Sequence, residues 1–367
     1  MEEPKKILIA CCYPIFMERI GGMDYFFWEL DKQLKSKNYQ VSWLFQNGGN
    51  VSHYIEKELN FELIDKESDF TEGLFNWLKK NTDSAIFIGH FLDYQSTVSF
   101  NIKKELNIPC IYVDHMSRSS VRKTRMQKLK KIIKGILFYN HIDGIIAVSF
   151  QVKKTILNEI GFFWNKKVKV VHNGLQLEDY KIKKKKENHS NVISIFCIGH
   201  LIKEKGFQVA IEACKKLQEN NIPFHLTIAG DGFFKKELLY IAKQQLPDET
   251  YDFIGNITNQ AHWLNQSDIV IIPSLWKEAF GFTVVEAMLM KKIVFASHIG
   301  AIPEILGNTT LLFKPGHPGE LFLLIKDYIT NKEKYKPIAT ELFERAIGHF
   351  SLHKMVIEHI DFIEKQL

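Results

Sequence analysis

Glu278 and Glu286 bracket the segment Ala279-Phe280-Gly281-Phe282-Thr283, which follows directly on the apolar run from Asp268 to Pro273. Such a run reads as a strand, and a glycine-bearing loop that leaves its carboxyl end and opens a helix is where α/β sheets collect ligands. Backbone amides at a helix start lack intrahelical acceptors, and the helix dipole adds to their attraction for an anion such as a phosphate. Glu278, in the loop, is placed to accept hydrogen bonds from neutral hydroxyls; Glu286, about one turn into the helix, reaches a diol on the far side of the bound anion. Two carboxylates beside a phosphate suit a sugar nucleotide. A plainer reading is also open, because Thr283 to Glu286 has the form of a capping box that satisfies the first amides of an ordinary helix. That reading leaves Glu278 and the aromatic, glycine-bearing loop unexplained, and the two are compatible.

The elements that must position these groups follow from hydrophobic pattern. Apolar strands alternate with helical periods along the whole chain, the signature of parallel sheets built from crossover units. In the first half strands are expected near Lys6–Ala10, Val41–Phe45, Ala85–Gly89, Cys110–Asp114, Gly144–Ser149 and Val168–Val171. In the second they fall near Val192–Ile198, His225–Ala229, Tyr251–Ile254, Asp268–Ile272, Ile293–Ala296 and Thr310–Phe313. The lysine-rich run from Lys181 to Lys186 has little to bury and reads as the junction. The expectation is an α/β protein with two Rossmann-like domains, residues 1–180 and 190–349. A terminal amphipathic helix is expected over 350–367, with Ser351 as cap and Met355, Ile357, Ile360, Phe362 and Ile363 on its apolar face.

Composition agrees. At 367 residues, 46% apolar and 25% charged, the chain is long enough for two domains with separate cores and is not of disordered type. No apolar run reaches a membrane span, and Met1 to Lys6 lacks the shape of a secretion signal, so a cytoplasmic location is expected. Cys11, Cys12, Cys110, Cys197 and Cys214 show no paired metal spacing and read as reduced core residues.

The residues between and around Glu278 and Glu286 resemble the signature of retaining glycosyltransferases of the GT-B fold, especially family 4. Further pieces stand in that family's order: Gly21 to Asp24, Val113-Asp114-His115, Ile146 to Ser149, His172-Asn173-Gly174, Ile198-Gly199-His200 with Lys205-Gly206, Ala229 to Gly232, Phe253-Ile254-Gly255, and Gly300 to Glu304. The resemblance implies two Rossmann-like domains with parallel sheets facing a central cleft, and a C-terminal helix that crosses back onto the first domain. It implies a nucleotide-sugar donor, UDP most often in the family, with GDP and ADP open because base contacts near Gly255 and Ile257 would come mostly from backbone.

Within that frame Lys205, and His200 five residues before it, would grip the diphosphate; a lysine there stabilises the leaving phosphate electrostatically. The family usually carries arginine where this chain has His200, so one neutral donor stands in place of a charged fork. His115, at a strand end, would meet the 6-hydroxyl of the transferring sugar or the acceptor, with His90 and Asp114 as weaker acceptor-side candidates. Gly21 and Gly22 would let backbone approach the donor phosphate. Each has a plain alternative: a solvated Lys205, structural histidines at 115 and 200, an ordinary turn at Gly21.

The implied mechanism retains anomeric configuration, the leaving phosphate oxygen helping to deprotonate the acceptor. Glu278 and Glu286 then orient sugar and ribose and are no glycosidase-type acid and base. The sequence contains no Asp-x-Asp triplet, and no metal or cofactor is expected. Sugar-nucleotide epimerisation, phosphorolysis and non-catalytic nucleotide-sugar binding are the rival readings.

The acceptor leaves less trace. From Arg118 to Ile142 there are eight Lys or Arg residues and no acid, and Met126, Leu129, Ile133 and Ile136 share a helical face. That helix either packs its apolar face on the sheet or rests it on anionic membrane through residues 118–134, and the net charge of +6 suits the latter. Nucleic acid is not expected, because the cations join no aromatic stacking platform or recognisable module.

Overall fold

A computed structural model describes residues 5–15, 21–81, 85–116, 124–181 and 191–366. The chain divides into two compact units, Met1–Gly174 with Leu352–Leu367, and Leu175–Ser351.

The first unit holds β1 (Lys6–Ile15), β2 (Gln40–Asn47), β3 (Phe61–Ile64), β4 (Ala85–His90), β5 (Cys110–Asp114), β6 (Gly144–Ala147) and β7 (Val168–Val170) in the order β3-β2-β1-β4-β5-β6-β7. Every pairing is parallel. The central strands read as unbroken apolar runs because crossover helices cover both faces of a parallel sheet. Ile7 to Ala10, Ile86 to Ile88 and Cys110 to Val113 are buried accordingly.

The second unit holds β8 (Ile193–Ile198), β9 (Phe224–Ala229), β10 (Tyr251–Gly255), β11 (Ile269–Ile272), β12 (Ile293–Ser297) and β13 (Leu312–Phe313), ordered β10-β9-β8-β11-β12-β13, again all parallel. In each sheet the order reverses beside the first strand, between β1 and β4 and between β8 and β11. Loops at the carboxyl ends of strands next to such a switch point diverge and leave room for a ligand. The chain is thus an α/β protein of two Rossmann-like, parallel-sheet domains.

Several boundaries differ from expectation. Phe61–Ile64 is an edge strand that the pattern did not reveal; it has only four residues, half-buried, with Glu62 exposed among them. The strand expected to reach Ser149 ends at Ala147, because Ser149 caps the next helix by accepting a hydrogen bond from the Val152 amide. The units part at Gly174 and Leu175, ahead of the lysine run: Leu175 donates its N–H to the Phe350 carbonyl and bridges Ser351. Residues 182–186 of the expected junction lie outside the described residues.

The last helix, Leu352–Glu364, groups with the first unit. Met355, Val356, His359, Ile360, Phe362 and Ile363 are its buried face. Ile357, expected on that face, is exposed. Phe362 lies where a Cβ on Gly144 would come within 2.6 Å of its ring, so the glycine in β6 admits the helix at close range.

Candidate functional site

In the second unit, β11 ends at Ile272 and the chain runs through Pro273, Ser274 and Trp276 to Glu278 before the helix Phe282–Leu289 begins. Glu278 is the hub of this loop. Its Oε1 accepts from Lys205 Nζ at 2.7 Å, from Ser274 Oγ at 2.7 Å and from Trp276 Nε1 at 3.1 Å. The Lys205 ammonium also stands 5.9 Å from the Trp276 ring centroid.

Lys205 comes from a 3-10 turn, Lys203–Lys205, after β8. That turn is clamped to the loop after β11: the Leu275 amide donates to the Glu204 carbonyl at 2.7 Å, and a Cβ on Gly206 would lie 2.0 Å from the Pro273 carbonyl oxygen. Gly206 has φ +73°, and with backbone on that side no larger residue fits. Gly300 locks the other flank, since a Cβ there would stand 2.5 Å from the Glu278 amide nitrogen. The adjoining Ala301 amide donates to the Glu278 carbonyl. Glycines at 206 and 300 thus let three loops converge on Glu278.

Glu286 is held differently. It accepts from Tyr180 Oη at 3.1 Å and closely from Gln260 Nε2. Burial raises its carboxyl above the ordinary glutamate value, and the hydrogen bonds from Gln260 and Tyr180 partly offset that. The capping-box alternative fails: the helix begins at Phe282 after Gly281, no side chain caps it, and the Glu286 carboxylate is committed to Tyr180 and Gln260. Phe280 is buried against Phe282 and Phe350, while Ala279, Gly281, Phe282 and Thr283 are half-buried.

The remaining second-unit candidates make contacts of their own. Gly255 ends β10, and its carbonyl accepts from the Gly230 amide at 2.7 Å. Ile257 follows, half-buried. His200 is exposed, its ring edge-on to Phe233 at 6.2 Å, and no hydrogen bond joins it to Lys205 or Glu278 among the described residues.

In the first unit His90 ends β4, His115 directly follows the neighbouring β5, and the two rings meet at 3.1 Å, Nδ1 to Nε2. His115 is half-buried and stacked on Phe91; His90 is fully buried among Phe26, Phe27 and His359. Burial pushes the His115 imidazole down to about 3 and His359 down to about 4, and His90 also lies well below the usual range. Asp114 is buried and accepts from the Met116 amide. Gly21 has an ordinary extended conformation, and its amide donates to Asp24 Oδ2 at 2.8 Å. Asp24 is held in turn by Tyr54 Oη. A carboxylate therefore already sits at the start of the helix Gly22–Ser36, and a phosphate there would meet like charge.

Sequence pattern missed Tyr180, Gln260 and His359. The first two carry no local signal and reach Glu286 only through tertiary structure. His359 does carry one, since it lies four residues after Met355 and four before Ile363 on the apolar face of its helix. Among the described residues no group of three or more His, Cys, Asp or Glu side chains could hold a metal ion.

Comparison with known proteins agrees with this architecture. Residues 20–179 match the model described as Glycosyltransferase Family 4, and residues 179–342 that described as Glycosyl transferases group 1. An uncharacterized glycosyltransferase of Methanocaldococcus jannaschii is 27% identical over 68% of this chain, and the match spans 66% of its own length. The O-antigen biosynthesis glycosyltransferase WclY of Escherichia coli is 25% identical over 63% of this chain and 65% of its own. HepE of Anabaena, solved in complex with UDP, superposes with a TM-score of 0.78 at 18% identity, covering 98% of this chain and all of that one. The fold and these matches define a glycosyltransferase of the GT-B type. More narrowly, the two matched models together span residues 20–342 and make it a family 4-like member of that class.

Proposed function

We propose that the protein transfers a sugar from a nucleoside-diphosphate sugar, with UDP the first candidate, to a hydroxyl acceptor in cell-envelope glycan, glycolipid or secondary-metabolite assembly, with retention of configuration. The observation that carries this is the pairing of Lys205 with Glu278 beside a helix that no side chain caps. The Phe282 and Thr283 amides and the Lys205 ammonium would receive the diphosphate, and Lys205 would stabilise the charge that builds on the leaving phosphate. Glu278 uses one oxygen for Lys205, Ser274 and Trp276, which leaves Oε2 to orient a sugar hydroxyl. Glu286 would take the ribose diol, with Gly255 and Ile257 beside the base and His200 near the diphosphate. His115 would meet the reacting sugar, with His90 and Asp114 behind it. The UDP complex of HepE and the O-antigen role of WclY favour a uridine donor and a glycan product.

The acceptor side has its own observation. On the helix Arg125–Phe138, Met126, Leu129 and Ile133 are exposed to 70%, 57% and 49%, so that face does not pack on the sheet. Ile136 falls outside the described side chains, and Arg118, Arg122 and Lys123 outside the described residues. The helix packs through Gly135 instead, where a Cβ would stand 2.7 Å from the Ile160 carbonyl. Phe162 and Phe163, exposed to 75% and 84%, follow that contact, and Gly161 lies between Phe163 and Ile132. Exposed apolar side chains on a helix whose sequence carries Arg125, Lys128, Lys130, Lys131 and Lys134 and no acid suit the headgroup region of an anionic membrane, where a lipid-linked acceptor would be presented. Among the described residues no helix is long and apolar enough to cross a membrane.

The test is calorimetry with UDP, GDP and ADP, followed by transfer from the matching sugar nucleotide in the presence of EDTA, with the anomeric configuration of the product read by NMR. Tight UDP binding and a retained anomer support the proposal. An inverted product would reject retention, loss of transfer with EDTA would reject metal independence, and turnover without acceptor would favour an epimerase or phosphorylase.

A further inference from the structure

His90 is buried completely, yet among the described residues its Nε2 meets no hydrogen-bond partner. Its other ring nitrogen, Nδ1, faces His115 Nε2 at 3.1 Å, so one proton lies between the two rings. That proton has two possible owners, and they are unequal in cost. If His115 donated from Nε2, His90 would accept at Nδ1 and carry its own proton on Nε2, a buried N–H with nothing to receive it. If His90 donates from Nδ1, its Nε2 is a bare lone pair. A buried donor left unpaired is the rarer and costlier defect. Phe26 and Phe27 pack against this ring and supply no acceptor. His359, stacked at 6.5 Å, supplies no donor from its Nε2: its Nδ1 lies 2.7 Å from the Met355 carbonyl, which only accepts, so its proton belongs on Nδ1.

We propose that His90 is a positioning residue that donates from Nδ1 to His115 Nε2, fixing the His115 proton on Nδ1 and making that nitrogen a hydrogen-bond donor. The tautomer of an imidazole is set by the bond that its other nitrogen makes. His115 is half-buried, and no other described residue hydrogen-bonds it. A ligand at Nδ1 therefore meets a neutral donor, suited to a hydroxyl or carbonyl oxygen and unable to take a proton. This rests on the functional reading above only for its effect on transfer, and it agrees with a mechanism in which no enzyme base deprotonates the acceptor. His90, the weaker acceptor-side candidate by sequence, is on this account removed from any ligand and acts through His115.

The experiment is a long-range proton–nitrogen NMR spectrum of the histidine rings in nitrogen-15-labelled protein, with His115 assigned through His115→Gln. His115 in the Nδ1–H form is expected; the Nε2–H form in the wild-type protein overturns the proposal and needs no variant to fold. His90→Leu should shift His115 toward the Nε2–H form. His90→Asn, whose amide nitrogen falls near the position of Nδ1, should preserve Nδ1–H. In transfer assays with UDP-glucose, His90→Leu should lose roughly tenfold or more in kcat with donor KM little changed, about the worth of one hydrogen bond, and His90→Asn should recover most of it. Equal losses in both variants would mean a packing role and overturn the proposal. Transfer indifferent to His115→Gln, with the tautomer as expected, would refute the role of His115 in the reaction while leaving the tautomer assignment intact.

Discussion

Lys205 reaches across from the turn after β8 to place its ammonium 2.7 Å from Glu278 Oε1, in the loop after β11. The two side chains are unequally wet, Lys205 at 27% and Glu278 at 12% exposure. The carboxylate has therefore given up more water and depends more on its partner.

The first prediction follows from that inequality. Lys205→Met leaves Glu278 with two neutral donors and no countercharge, and should cost about 1–3 kcal/mol in urea unfolding, less than for a fully buried pair because water reaches the site. Glu278→Gln leaves a lysine that can turn to solvent and should cost less. Calorimetry should show UDP affinity falling further for Lys205→Met than for Glu278→Gln. Equal stability losses would mean that the pair is held as on an open surface.

Glu286→Gln separates binding from folding. The folded protein raises this carboxyl by burial, so folding favours its protonated form, and stability falls as pH rises from the ordinary glutamate value through the raised one. Above that raised value the wild-type protein carries the penalty in full, and the glutamine variant does not. The variant should melt at an equal or higher temperature at pH 7, lose that advantage below pH 4, and bind UDP more weakly for want of a charged acceptor. Undiminished UDP affinity in the folded variant would remove Glu286 from the ribose.

The histidine cluster carries the opposite sign. His90, His115 and His359 all have lowered values, chiefly through burial, and the native state holds them neutral. The unfolded chain takes up protons near pH 6.5 while the folded one does not, so stability is full above that pH and is lost as pH falls toward 4 and below. Each such group adds up to about 1.4 kcal/mol per pH unit to the slope in that window. His359→Gln should flatten the fall in unfolding free energy between pH 6.5 and 4; an unchanged slope would mean that His359 titrates normally.

Strands were legible where burial on both faces produced unbroken apolar runs, as at Ile86 to Ile88 or Ile269 to Ile271, and illegible where the sheet meets solvent, as at Phe61–Ile64. The loop around Glu278 was legible because its glycines and acids are adjacent in sequence. Its partners were not: Ser274 and Trp276 lie in the same segment but reveal their role only when the turn bends their donors onto Oε1, and Tyr180 stands more than a hundred residues before Glu286. Helical period gave the right stripe in the basic stretch but not which side it faces. Met126, Leu129 and Ile133 do share a face, yet the contact that seats the helix is made by Gly135, where the lack of a side chain lets it approach the Ile160 backbone.

That outward stripe supports the last prediction. Burying an exposed leucine-sized side chain in the acyl boundary yields about 1.5–3 kcal/mol, and each nearby cation adds about 1 kcal/mol at an anionic surface. Met126, Leu129, Ile133, Phe162 and Phe163 together therefore outweigh any single lysine. Flotation with vesicles containing anionic phosphatidylglycerol should carry the wild-type protein, and neutral phosphatidylcholine vesicles should carry much less. Phe162→Ser with Phe163→Ser should reduce flotation at low salt and at high salt alike, because the lost term is apolar. Changing Lys128, Lys130, Lys131 and Lys134 to Glu should abolish binding mainly at low salt, where charge attraction is unscreened. All of these residues belong to the first unit, so UDP binding by the second should survive both sets of changes. Flotation unaffected by either set would show that this face does not meet lipid, and self-association of the wild-type protein, lost in the serine variant, would assign the face to a second copy of the chain.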